Sequence, residues 1–199
     1  MKAYTLGPDG SCHQNACRAY FEHLDISDYE IALYDDIHHA AQEAVGDQNG
    51  IVVQCSAHLN VHLVTEHFRD TLPIIDTFIF PTQHMALLKR KNVALPRSLG
   101  IPEPAMGYVN PDDWKEIIFE STKPVVTQNL LAGKYDAGFA YSKDAETYPD
   151  QLELCETVGK VVTTWIVYGS SPRYDGRLIS TLDQSAKVKL VDALKREAP

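Results

Sequence analysis

Short apolar runs alternate along the chain with stretches whose apolar positions recur every three or four residues. Ala3-Tyr4-Thr5-Leu6 reads as a strand, stopped by Gly7-Pro8-Asp9-Gly10. Ser11 is placed to cap a helix running to about Leu24, in which Ala16, Tyr20 and Leu24 share a face. A strand over Glu30 to Leu33, a helix from about Asp36 to Val45 and a strand over Ile51 to Gln54 follow, with Gly50 breaking the chain before the last. Ser56 reads as the cap of a further helix carrying Leu59, Leu63 and Phe68. Three strand-turn-helix units in a row imply right-handed crossovers and a mainly parallel sheet.

Two extended segments, Leu72 to Phe80 and His84 to Leu88, lie about Pro81 and suit a path from one lobe into another. After a proline-rich stretch (Pro96, Pro102, Pro104, Pro111), Trp114 to Phe119 reads as a strand and Ser121-Thr122 as the cap of a helix to Ala132. Lys123 and Pro124 fall in its first turn, where the missing proline N–H costs nothing. Gly133 ends that helix, Asp136 to Ala140 is a strand, and Leu152 to Thr157 and Val161 to Tyr168 are strands around Gly159-Lys160. A last helix is predicted from about Thr181 to Arg196. The expected architecture is α/β in two lobes, residues 1–77 plus 169–199 and residues 82–163, crossed near 78–82 and 162–168. Such a design seats a ligand in the cleft, facing helix N-termini.

Composition narrows the partners. Of 199 residues 44% are hydrophobic, enough for a packed core. With 27 acidic and 18 basic side chains the net charge is −9, and no basic cluster exceeds Lys89-Arg90-Lys91, which argues against nucleic acid. No run approaches the roughly 18 apolar residues of a membrane span, and no apolar stretch backs the N-terminus. A soluble, cytoplasmic protein with no membrane partner is expected. The four cysteines form no CxxC pair, so free thiols are expected. The charge of −9 repels small anions at long range, and any anion site must be made locally.

Several groups could carry chemistry. Gly7 to Ser11 turns backbone N–H groups and a hydroxyl beyond the first strand, either as a ligand cradle or simply as a capped turn. Gln54-Cys55-Ser56 ends a strand and opens a helix at the same sheet edge, where Cys55 is a candidate nucleophile or a buried structural thiol. His58, His62 and Glu66 recur at four-residue spacing and could ligate a metal, although the HExxH glutamate is absent; solvated histidines are the plainer reading, as for His38, His39 and His67. Thr163-Thr164-Trp165 puts two hydroxyls and an indole at the second crossing.

At these points the sequence resembles the catalytic domain of prephenate dehydratases. The family's opening GPxGT is matched by Gly7-Pro8-Asp9-Gly10-Ser11, with Ser for Thr, and its ENS motif falls on Gln54-Cys55-Ser56, where the Ser is kept. A Ser-Thr pair before a helix matches Ser121-Thr122, and Gly133 to Ala137 with Ala140 resembles the following helix-to-strand passage. The catalytic TRF motif falls on Thr164-Trp165-Ile166, keeping Thr and losing Arg, and Val162 replaces the Asn before it. The chain also resembles the non-aromatising prephenate decarboxylases of bacilysin-type pathways, which likewise lack the ENS and TRF signatures.

The resemblance implies a two-lobed fold of the type II periplasmic-binding-protein kind, a cofactor-independent lyase and a homodimer. It implies Thr164 as the catalytic hydroxyl, and Gly10, Ser11, Gln54, Cys55, Ser56, Ser121, Thr122, Thr163 and Trp165 around a small anionic carboxylate substrate. With about 30 residues after Gly169 no regulatory ACT domain is expected. Loss of the Arg removes a bidentate carboxylate partner. The expected activity is decarboxylation of prephenate or a related cyclohexadienyl keto acid, with or without loss of the ring hydroxyl; the alternative is a binding protein without chemistry.

Overall fold

The structure, a computed structural model, describes residues 1–59, 61–180, 185 and 187–189. The first third folds as β1 (Lys2–Leu6), α1 (Cys12–His23), β2 (Glu30–Tyr34), α2 (Ile37–Ala44) and β3 (Gly50–Cys55). β1 lies between β2 and β3 and pairs with both in parallel, Ala3 standing opposite Ile31 on one side and Ile51 on the other. Alternation along β1 sends Tyr4 and Leu6 against Ile37, Ala40 and Val52, and Ala3 against Ala16, Cys17 and Phe21. Both faces are covered, which is why these strands read as continuous apolar runs.

α3 (Val61–Phe68) begins later than the sequence predicts. Ser56 to Leu59 instead form a turn in which the His58 N–H donates to the Cys55 carbonyl at 3.1 Å, so Ser56 does not cap the helix. Leu59 stands outside it, 41% exposed.

β4 (Ile74–Pro81) leads through Thr82 to His84 into a second sheet of β5 (Met85–Arg90), β6 (Ser98–Pro102), β7 (Glu116–Glu120), β8 (Ala137–Tyr141) and β9 (Leu152–Gly159), with α4 (Lys123–Leu131) and α5 (Ser142–Thr147). The chain then returns as β10 (Val162–Gly169), inserted antiparallel between β3 and β4. Strand orders are β2-β1-β3-β10-β4 and β7-β6-β8-β5-β9. In each sheet one strand runs against the other four, β10 in the first and β5 in the second, and each is entered directly from a crossing. This is an α/β, two-lobed fold with mainly parallel sheets. The carboxyl ends of the parallel strands and the first residues of β5 and β10 therefore gather at one edge of each sheet, where α1 and α4 begin.

Sequence patterning misses β6 and α5. β6 hides because Gly100 and Pro102 read as punctuation, yet Gly100 is there for packing. A Cβ on it would stand 2.0 Å from Cζ of Tyr135, a fully buried ring whose hydroxyl donates to the Val126 carbonyl. Gly100→Ala is expected to lower unfolding stability by about 2–3 kcal/mol, checked by urea denaturation. Gly133, at φ +79°, terminates α4 as predicted. The helix expected over Thr181 to Arg196 lies, apart from residues 185 and 187–189, outside the described residues. No helix among the described residues is long and apolar enough to cross a membrane.

Candidate functional site

Between the sheets lies a cavity of about 170 Å³. Two helix N-termini open on it. α1 brings Ser11, Cys12 and His13, and α4 brings Ser121, Thr122 and Lys123. The end of β3 and the turn after it add Cys55, Ala57 and His58, and the start of β10 adds Val162, Thr163 and Trp165. Met85, Pro102, Pro104, Ala105 and Tyr108 form an apolar wall, with Tyr108 stacked on Phe139 at 5.7 Å.

Electrostatically the cavity is lopsided. Among the described residues lining it, Lys123 is the one lysine or arginine, and no carboxylate faces it. Its ammonium makes no ion pair with a described residue and stands 5.8 and 6.0 Å from the ring centres of Phe139 and Tyr141. Burial lowers its pKa below the ordinary lysine value of 10.5. The N-terminus of α4 is also uncapped: the Thr122 side chain accepts no bond from the first turn, and its buried hydroxyl oxygen has no partner. A cation, an orphaned hydroxyl and free helix N–H groups thus converge on one end of an apolar cavity. Their common complement is an anion.

His13 is held neutral. Its Nε2 accepts the Cys55 N–H at 3.3 Å, which puts the ring proton on Nδ1, and its ring packs edge-on against Trp165 at 5.2 Å and His58 at 5.8 Å. Burial first, then the charges of His58 and Lys123, bring its pKa from 6.5 down to about 3. Cys12 Sγ accepts the Tyr141 O–H at 3.1 Å and the Gln83 N–H at 3.4 Å. Cys55 Sγ lies 3.8 Å from Thr163 Oγ1, and burial pushes the Cys55 thiol up. Gln83 also donates from Nε2 to the Gly10 carbonyl at 2.7 Å and accepts from Lys143 at 2.9 Å, tying the two sheets' elements together beside the crossing.

Of the residues singled out from sequence, Ser11, Cys55, Ser121, Thr122, Thr163 and Trp165 line the cavity. Ser11 is nevertheless occupied, its hydroxyl donating to the Leu6 carbonyl at 2.9 Å and accepting from the Gln14 N–H at 3.2 Å; it is a cap. Gly10, Gln54 and Ser56 are not in the wall. Gly10 bonds Gln14 and Gln83, Ser56 donates its N–H to the Thr164 carbonyl, and Gln54 is fully buried with neither end of its amide paired. Thr164 is exposed and absent from the wall, whereas Thr163 and Trp165 on either side of it line the cavity. Of the two adjacent threonines, Thr163 is the one that lines the cavity. Nor do His58, His62 and Glu66 share a helix face: His58 lies in the turn, its Nδ1 2.6 Å from the Leu59 carbonyl oxygen, while His62 and Glu66 are exposed on α3. Among the described residues no three His, Cys, Asp or Glu side chains are grouped to hold a metal.

Comparison with solved structures places the architecture. A prephenate dehydratase from Arthrobacter aurescens, in complex with L-Phe, matches 98% of this chain and 72% of its own at 15% identity, with a TM-score of 0.65. The fold is prephenate-dehydratase-like. A second prephenate dehydratase, from Staphylococcus aureus, aligns over 98% of this chain and 80% of its own at 16% identity and TM-score 0.58. The periplasmic VFT2 domain of Bordetella pertussis BvgS aligns over 85% of this chain and 80% of its own at 9% identity and TM-score 0.53. No protein-family model matches the chain, and no curated protein matches it in sequence. At these identities the likeness is one of fold.

Cys12, His13, Lys123 and Tyr141 were not among the residues picked from sequence as site candidates. One signal did point to Lys123: the helix dipole disfavours a cation in the first turn, and no acidic residue stands three or four positions after it to offset that. A lysine there is placed against its own helix, as a partner for something else.

Proposed function

We propose that the cleft takes a small organic dianion of the prephenate type and that the protein acts on it as a cofactor-independent lyase. The observation that carries this reading is the Lys123 ammonium, facing an apolar cavity with no carboxylate to neutralise it, beside the unpaired Thr122 hydroxyl. One substrate carboxylate, held by Lys123, Thr122 and the N–H groups of α4, is stabilised as an anion and is the carboxylate retained. The other lies toward the Pro102, Ala105 and Val162 side, where a charge is poorly solvated and loss of CO2 discharges it. Thr163 is the group that hydrogen-bonds the ring hydroxyl, the role the family resemblance gives to a threonine on this strand. If that hydroxyl leaves, the product is aromatic; if it stays, the ring takes up a proton and remains a non-aromatic keto acid.

Prephenate incubated with the protein is expected to yield phenylpyruvate, read by its absorbance in alkali, or a non-aromatic keto acid with CO2. The lyase reading fails if prephenate neither reacts nor raises the melting temperature. Thr163→Val should reduce turnover by about a hundredfold with the fold intact, whereas Thr164→Val should retain it; the reverse result would restore Thr164 to the role. A second reading, binding without chemistry, has one observation in its favour: among the described residues lining the cavity there is no carboxylic acid to protonate a leaving hydroxyl and no arginine to hold a carboxylate bidentately. Raised melting temperature with unchanged prephenate would select it.

A further inference from the structure

The four free thiols occupy different environments. Cys17 is sealed in the core and Cys155 is exposed on β9, while Cys12 and Cys55 open on the cavity. At Cys12 two donors reach the sulfur from separate elements, the Tyr141 hydroxyl from the end of β8 and the Gln83 N–H from the crossing. Two donors are thus aimed at one sulfur and fix its position in the cavity wall. Cys12 is also the first residue of α1, whose N-terminus favours negative charge, and the Lys123 ammonium acts on it across the cavity. Burial and Cys12 itself keep the Tyr141 phenol protonated and therefore a donor. The buried, unpartnered Thr122 hydroxyl lines the same cavity.

We propose that Cys12 is a nucleophilic thiol of the cleft, which captures small carboxylates bearing an electrophilic carbon, with Lys123 and Thr122 holding the carboxylate. This rests on the carboxylate cradle assigned above, but not on lyase chemistry. With a conjugated enoic acid, the sulfur forms a bond to the β-carbon and the alkene electron pair moves to the α-carbon. That carbon takes a proton from water, and the thiol proton leaves to water. No oxidant or reductant is consumed. With an α-halo acid, the new bond to sulfur replaces the carbon-halogen bond and halide departs.

The test uses the whole chain with Cys155→Ser, treated in parallel with iodoacetate and with the neutral reagent iodoacetamide. Alkylated cysteines are mapped over time by peptide mass spectrometry. Unassisted thiols react faster with the amide. Cys12 is expected to show the opposite order, with iodoacetate faster by about tenfold. Lys123→Met should restore the ordinary order, and Tyr141→Phe should slow both reagents at Cys12 with an unchanged circular dichroism spectrum. The proposal is overturned if Cys12 in the Lys123-containing protein prefers iodoacetamide, or if an iodoacetate preference survives Lys123→Met. The first comparison needs no cavity variant, so misfolding of a variant cannot obscure it. Prephenate turnover separates the two readings: iodoacetate preference without turnover leaves the thiol site standing and removes the lyase, whereas turnover without the preference does the reverse.

Discussion

Lys123→Met is expected to raise the melting temperature while weakening the binding of a small carboxylate such as phenylpyruvate by about a hundredfold. The two effects have one cause. In the free protein the ammonium is half-buried, lacks an ion-pair partner among the described residues and sits at the helix end where the dipole opposes it. A methionine of similar length fills the same space without the desolvation cost, a gain of about 1–2 kcal/mol. When a carboxylate binds, the same ammonium becomes half of a charge-assisted pair in a largely apolar cavity, and its loss costs about 2–3 kcal/mol. Alkaline pH should give the same signs. Burial lowers the Lys123 pKa in the fold, so between that value and the unfolded 10.5 the unfolded chain binds more protons and the free protein gains stability as pH rises. Carboxylate affinity falls over the same rise as the ammonium is lost. Calorimetric titration and thermal melts of both proteins check this; a variant that loses stability, or binds as well as before, refutes the assignment.

Much of this site was legible in the sequence, and what was not has physical reasons. Apolar runs and caps located β1, α1, β2, α2 and β3, because each is a local pattern: Ser11 and Asp36 accept from Gln14 and His39 as their positions before helices require. Both helix N-termini that open on the cavity, at Ser11 and Thr122, were readable in the same way. The hydroxyl on β10 was not. Thr163 and Thr164 are adjacent, a strand shows only one of them to the cavity, and a slip of one residue reverses the answer. Only the pairing of Trp165 with Cys55 and Phe78 fixes which. Likewise the even spacing of His58, His62 and Glu66 has meaning only on a continuous helix, and the turn at Ser56 to Leu59 breaks it. Cys12 and Tyr141 are 129 residues apart, a contact that no local pattern could announce.

The net charge of −9 takes on a different meaning beside this geometry. Over distances beyond a Debye length, about 8 Å at physiological salt, it repels an anionic ligand only weakly. Inside the cavity the nearest formal charge is positive, and the acidic side chains sit elsewhere: Asp9, Asp76 and Asp136 are engaged with Arg18, Arg173 and Arg90. The global charge therefore slows encounter with an anion, while the local field, made by Lys123 and two helix ends, decides whether it stays.

Acidification should destabilise this protein in part through His13. Its folded pKa is about 3 against 6.5 for the ordinary side chain, because the ring is buried and faces His58 and Lys123. Between those values the unfolded chain binds a proton that the folded one refuses, so stability is complete above 6.5 and is lost as pH falls toward 3. The loss attributable to His13 amounts to about 2–3 kcal/mol by pH 4.5 and up to about 5 kcal/mol at the lower limit. Carboxylate groups add their own acid sensitivity, so the measurement is a difference. His13→Gln offers the Cys55 N–H an amide oxygen in place of Nε2 and cannot take up a proton in this range. Urea unfolding at pH 7.5 and 4.5 should show wild type losing about 2–3 kcal/mol more than His13→Gln. Equal losses would mean that His13 accepts a proton inside the fold, and the neutral Nδ1-protonated ring behind Cys55 would have to be abandoned.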